Sequence, residues 1–221
     1  MSANQHEAKA SLVAEMQRGE RAFEGMKAAG SDLSRLDLTG CEFSRCDFTG
    51  CDFTAANLAD ARLTDCRVGG AQFGSVKAVD AHFHNCDFAN TDWSRSKLNG
   101  TRFSQCKLTG ANFFDCDLAG IEFQECKLVS AFLPDASFRK KTLTNVDFSD
   151  ADLRGCDFRE CTFDGCSMRG ASLRGCRFEK ADLRGCDLGG LKLNEAAILK
   201  GAVISKGQAT DLLASFGLLV L

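Results

Sequence analysis

Stepping along the chain in fives from Leu33 lands on a large apolar residue almost every time: Leu38, Phe43, Phe48, Phe53, Leu58, Leu63 and so on through Trp93, Phe123, Phe138 and Leu193 to Ile198. The phase never slips over that span, and Phe23 and Ala28 extend it backwards. Two residues before each of these stands a small one, usually Cys, Ala, Ser, Thr or Val, and all 13 cysteines fall there. The residue just before the large one is mostly polar, commonly Asp, Asn, Lys or Arg, and the last of each five is often Gly. A period of five is neither the 3.6 of a helix nor the 2 of a strand. Fixed short periods mark solenoids, whose units bury their faces only against their neighbours. Two inward residues per word, one large and one small, predict a chain that turns a corner every five residues. Four sides then close a square coil of twenty, and coils stacked at strand spacing rise ~4.8 Å each. The prediction is an all-β solenoid over residues 21–200, of eight to nine coils and roughly 43 Å for nine. A capping helix over 1–20 and a C-terminal helix and tail over 201–221 flank it.

So many thiols would ordinarily suggest metal or catalysis in a cytosolic chain. Their spacings here are all multiples of five, so no CxxC pair exists and no structural-zinc pattern is present. Stacked cysteines with parallel Cβ directions stand ~4.8 Å apart, beyond the ~3.8 Å that a disulfide prefers. They read as small, reduced, buried hydrophobes. "AHFHN" places His82 and His84 on one outward side, but Arg62 and Arg102 flank His82 one coil away in the same phase. Two cations repel a metal ion, so the pair reads as solvated. GxGxxG, P-loop and HExxH patterns are absent, and no nucleophilic triad can be built from three histidines so placed. No catalytic, cofactor-binding or metal-ligating residue is assigned, and the chain reads as a non-enzyme. A formal net charge of −3 disfavours nucleic acid as a ligand. Mean hydropathy is −0.14, there is no apolar run long enough to span a membrane, and the N-terminus lacks a signal-type stretch. A cytoplasmic location is expected, with no membrane partner.

The ends depart from the register. Ala8, Leu12, Val13 and Met16 recur at helical spacing before Gly19, predicting a helix of about three turns over the first coil. Ser205 is placed to N-cap a second helix running to about Phe216, with Gly217 as its break. In the middle, Thr91, Ser96 and Thr101 put hydroxyls in small slots, and Lys141 occupies one within "FLPDASFRKKT", which holds the only proline, Pro134. There the stem snorkels or the coil bulges.

"ADLRG" at 151–155 and 181–185 and "ANLAD" at 56–60 match the word A(D/N)LXX. The chain thus resembles the pentapeptide-repeat family, which implies a right-handed quadrilateral β-helix. Its ending, with Gln208, Leu212, Leu213, Leu218 and Leu219, resembles the C-terminal segment of the Qnr/MfpA branch. That resemblance implies a homodimer joined through the C-terminal helix by Leu212, Leu213, Phe216, Leu218 and Leu219. It also implies a DNA-like surface that binds DNA gyrase or topoisomerase IV and protects it from quinolones. Two solenoids end to end would span roughly 86 Å, about 25 base pairs.

Duplex DNA shows regular negative charge. Summed over outward residues, the four sides carry −3, 0, −2 and +1. The best candidate for a partner-binding acidic face is the −2 side around Phe53 and Trp93. There Asp32, Asp52, Asp92 and Asp152 share a phase, with Asp115 and Asp135 a corner position away. The competing expectation is an interaction scaffold whose partner is unrelated to DNA.

Overall fold

The computed structural model describes residues 3–189, 191, 197–215 and 217–219. They fall into two compact units, residues 1–126 and 127–221. The first holds helix α1 (Ala3–Gln17) and the three-residue strands β1 (Ala22–Glu24), β2 (Glu42–Ser44), β3 (Arg62–Thr64), β4 (His82–His84), β5 (Arg102–Ser104) and β6 (Glu122–Gln124). The second holds β7 (Thr142–Thr144), β8 (Thr162–Ser167), β9 (Asp182–Asp187), a 3-10 turn over Ala197–Leu199 and helix α2 (Lys206–Ser215). Each strand begins twenty residues after the one before it. Within each unit neighbours pair in parallel, with Phe23 beside Phe43, Phe43 beside Leu63, and Leu143 beside Phe163. The other three sides carry single parallel bridges at the same spacing, such as Lys27 to Asp47, Asp32 to Asp52 and Asp37 to Asn57. A word of five leaves three residues for a strand, so the fold is a four-sided parallel β-solenoid with a helix at each end.

The ladder satisfies the backbone between coils. Leu33 N–H donates to the Asp52 carbonyl at 2.7 Å, and Asp52 N–H donates back to Ser31 at 3.0 Å. Polar edges being paired coil to coil, the central residues can fill the interior. Phe43, Phe48, Phe53, Phe73, Phe83, Phe88, Trp93, Phe103 and Phe113 are fully buried in the first unit, and Phe138, Phe148 and Phe158 in the second. Rings on one side lie flat on each other: Phe53 on Phe73 at 4.8 Å, Phe73 on Trp93 at 4.0 Å, and Phe138 on Phe158 at 5.2 Å. Each such pair contributes roughly 0.5–1.5 kcal/mol beyond its buried area.

The corners explain the glycines. Every fifth residue from Gly25 to Lys180 has a positive φ, because the turn needs a left-handed residue in its third position. The Ala28 carbonyl, for example, accepts from Ser31 N–H at 2.9 Å across Gly30. Gly adopts that conformation freely and Asn or Asp tolerate it. Arg35, Arg45, Ala55, Arg95 and Lys180 adopt it too, held by the coils on either side.

The small slot has a chemistry beyond size. In most words that carry one, its thiol or hydroxyl donates to the carbonyl of a central residue one coil earlier. Cys51 Sγ reaches Ala28 O at 2.8 Å, Cys66 reaches Phe43 O at 3.5 Å, and Ser96 Oγ reaches Phe73 O at 2.6 Å. Thr101 Oγ1 does the same to Ala78 O at 2.6 Å, and Trp93 Nε1 donates to Thr91 Oγ1 at 2.9 Å. The 13 cysteines are free thiols and twelve are buried. Burial pushes the Cys51 and Cys161 thiols up to about 11, so they stay protonated near neutrality. Cys116 corrects the expectation of uniform burial: it is half-buried, beside an exposed Phe114. Leu36, too large for the slot, is likewise half-exposed. Lys141 is half-buried and β7 pairs in register with β8 from Thr142 to Thr162, so the coil does not bulge there.

Both helices stop as their glycines predict. Around Gly19, Glu20 N–H donates to Glu15 O (3.2 Å) and Gly19 N–H to Met16 O (3.0 Å). Around Gly217, Leu218 N–H donates to Leu213 O (3.1 Å) and Gly217 N–H to Ala214 O (2.9 Å). Both are Schellman endings. Leu12 of α1 is fully buried, with Val13 and Met16 half-buried. At the start of α2, Gln208 N–H donates to Ser205 Oγ (3.2 Å) while Ser205 N–H donates to Gln208 Oε1 (2.7 Å), a reciprocal capping box. Leu193, with the rest of 192–196, lies outside the described residues. No helix among the described residues is long and apolar enough to cross a membrane.

Candidate functional site

Four of the six candidate acids, Asp32, Asp52, Asp92 and Asp152, sit in the polar position ahead of a central residue, and its first task is local. The carboxylate of Asp32 accepts from Ser34 N–H (2.9 Å), Asp52 from Thr54 (2.8 Å), Asp92 from Ser94 (3.1 Å) and Asp152 from Arg154 (3.2 Å). An Asp or Asn side chain bonding the backbone two residues on is an Asx turn, and it shapes the corner that follows. Asn57, Asn112, Asp147 and Asp182 do the same. The D/N of the repeat word is thus a corner residue, charged or not. Bonds from Ser34 hold Asp32 down to about 2, and those from Arg154 hold Asp152 below the usual carboxylate range.

The acids differ in what surrounds them. In the first unit, bridges link Asp32 to Asp52, Asp52 to Gln72, Gln72 to Asp92, and Asp92 to Asn112. These five side chains therefore form one outward column. Asp32 is paired with Lys9 of α1 at 3.3 Å, which offsets its charge while its side chain stays 46% exposed. Asp52 and Asp92 are half-buried, Asp92 accepting also from Asn112 Nδ2 at 2.9 Å. Asp115 is exposed at the next corner with φ 56°. In the second unit Asp135 occupies a left-handed corner (φ 58°), while Asp152 is bound by Arg154 at 2.8 Å. The same guanidinium lies over the Phe132 ring at 6.0 Å. Other charges of that unit are likewise held in pairs: Arg139 with Glu160 at 2.9 Å, Arg169 with Asp187 at 3.0 Å and Arg184 with Asp182 at 2.6 Å. Asp157 is buried between Arg159 (2.7 Å) and Arg177 (2.9 Å).

The candidate acids that no cation holds therefore narrow to Asp52, Asp92 and Asp115 in the first unit and Asp135 in the second. The repeat pattern alone does not single out the residue next to Asp115. Phe114 is 54% exposed, the second of a Phe–Phe pair whose first member, Phe113, fills the core. Its signal was legible: an aromatic in a position of the word that points outward. Large aromatics in an otherwise polar surface are the residues that most often anchor an interface.

At the other end, Leu212 is half-buried, Leu213 is 39% exposed, Leu218 54% and Leu219 92%. Phe216 lies outside the described residues. Among the described residues, no group of three or more His, Cys, Asp or Glu is placed to hold a metal ion.

Comparison with known proteins fits this architecture. The family of pentapeptide repeats matches residues 22–54, 31–70, 142–179 and 151–190, and a pentapeptide repeat region matches 76–147. The chain belongs to the pentapeptide-repeat proteins. Among solved structures, a trypsin-treated M102R form of QnrB1, a plasmid-mediated fluoroquinolone resistance protein, superposes with a TM-score of 0.70. It is 22% identical over 90% of this chain and 99% of the other. Full-length QnrB1 gives 0.67 at 21% identity, covering 90% and 100%. HetL, involved in heterocyst differentiation regulation in the cyanobacterium Nostoc sp. strain PCC 7120, gives 0.58 at 19%, covering 87% and 93%. No curated protein sequence matches significantly.

Proposed function

We propose that this protein binds a type II topoisomerase, DNA gyrase or topoisomerase IV, and protects it from quinolones. What carries the reading is the likeness to a fluoroquinolone resistance protein over 90% of this chain and 99% of the other. The local chemistry supports it: carboxylates recur at coil spacing along one column, and Phe114 supplies an apolar anchor next to Asp92 and Asp115. In this reading the carboxylates stand in for DNA phosphates at an enzyme surface that ordinarily meets duplex. The protein acts by occupancy and catalyses nothing. A second reading, a scaffold for an unrelated protein partner, is favoured by the paired charges of the second unit, which leave little open field there, and by the likeness to HetL.

The discriminating experiment is a supercoiling assay with purified gyrase and a fluoroquinolone, with and without this protein. The proposal expects activity to recover in a dose-dependent manner. Unchanged drug inhibition at every protein concentration would favour the scaffold.

A further inference from the structure

A shallow cavity of about 260 Å³ opens on the strand-bearing side of the first unit. Two columns of side chains line it, with Glu122 and Gln124 at one edge. Arg62, His82 and Arg102 stand opposite one another across β3, β4 and β5, and Thr64, His84 and Ser104 form the second column. Strands lie ~4.8 Å apart, so the two arginines start roughly 10 Å apart with His82 between them. His84 Nδ1 and Ser104 Oγ are 2.9 Å apart, which ties the second column together. From the sequence alone this histidine pair reads as solvated, because two cations repel a metal ion. The same two cations are what an anion requires.

We propose that this groove binds a tetrahedral phosphate group, held between Arg62 and Arg102 over His82, with the Thr64 and Ser104 hydroxyls reaching it from the second column. A phosphate accepting a charge-assisted hydrogen bond of about 2.8 Å from each guanidinium fits the span. Planar guanidinium forks suit phosphate oxygens. The neighbouring acids do not close the site. Glu42 reaches Arg62 Nε at 3.8 Å and Glu122 reaches Arg102 Nε at 3.2 Å. Both pairs are exposed, where such contacts contribute little, and a guanidinium has five N–H donors. Burial, then Arg62 and Arg102, hold the His82 imidazole below its ordinary value, against the opposing pull of Asp80 and Asp60. A bound dianion offsets the guanidinium charges, so it should draw a proton onto His82.

The test is NMR of histidine-labelled full-length protein at constant ionic strength, titrated with inorganic phosphate and, separately, with glycerol phosphate. Saturable shifts at His82 and His84 are expected, with a higher His82 pKa at saturation. R62Q and R102Q, both outward and checked for folding by circular dichroism, should each weaken phosphate binding at least about tenfold, as loss of a charged hydrogen bond predicts. R45Q, on the same side away from the groove, should bind as the wild type does. Saturation by glycerol phosphate as well as by phosphate supports a phosphate-monoester site, and saturation by phosphate alone supports a free-ion site. Shifts that never saturate, or saturation that R62Q and R102Q leave unchanged, overturn the proposal.

Discussion

Positions of the five-residue word carry distinct physical duties, and the sequence displays three of them openly. The large residue fills the interior: Phe103, 1% exposed, should cost about 3–5 kcal/mol when changed to Ala, the range for emptying a packed aromatic site. Asp52→Ala, which removes an Asx bond at a partly open corner, should cost about 1 kcal/mol, like the loss of a cap. Urea denaturation of the two variants checks this, and equal effects contradict the assignment of inward positions. The left-handed corner was announced by its glycines, and the polar residue before the centre by its Asp and Asn. The small slot was only half legible. Its size could be read, but the thiol's bond to a carbonyl 23 residues earlier depends on coil stacking that no local pattern shows. The Asx acids also set a pH dependence. Asp32 and Asp182 are held down to about 2 in the folded state, by Ser34 and Arg184 respectively. A depressed folded pKa gives stability that is full above the unfolded value of about 3.9 and disappears as pH falls through about 2. Melting temperature by circular dichroism should therefore hold from neutrality to about pH 5, then fall steadily towards pH 2.

At the scale of elements, the helices were legible because their signals are local. Ser205, Gly19 and Gly217 are the residues that start and stop helices in isolation. What could not be read is how α2 is fastened. Gln208 completes the capping box and also donates from Nε2 to the Leu183 and Cys186 carbonyls, both at 2.7 Å. It thereby satisfies acceptors at the end of the ladder, a role that emerges only when helix and last strand meet. Gln208→Ala should lower stability by about 2 kcal/mol, since it abandons carbonyls that are partly screened from water. Hydrogen exchange at the amides of α2 should accelerate more than at those of β1–β6. Uniform acceleration would contradict a local fastening.

For the whole molecule, the repeat made the fold class legible and left the partner faint. A solenoid side advertises its shape in the sequence, but whether an acid faces an open surface depends on the neighbour one coil away. Lys9 takes Asp32 and Arg154 takes Asp152, so the six candidate acids shrink to Asp52, Asp92 and Asp115 in the unit that holds Phe114, and Asp135 in the other. The C-terminal leucines belong to the same scale. Leu213, Leu218 and Leu219 are more exposed than an end cap needs, as surfaces that meet a second copy are. A Leu213→Asp, Leu219→Asp variant should run as a folded monomer by light scattering, against a wild-type dimer. A wild-type monomer would overturn the dimer that the resemblance implies while leaving the acidic site to be tested on its own. That site is tested most directly by fluorescence anisotropy of labelled duplex DNA bound to gyrase, with this protein as the competitor. The account predicts that the protein displaces the DNA. It also predicts that Phe114→Ala combined with Asp115→Asn weakens displacement at least about tenfold without loss of fold, as expected for an interface anchor. DNA that stays bound at every concentration of folded wild-type protein would contradict it.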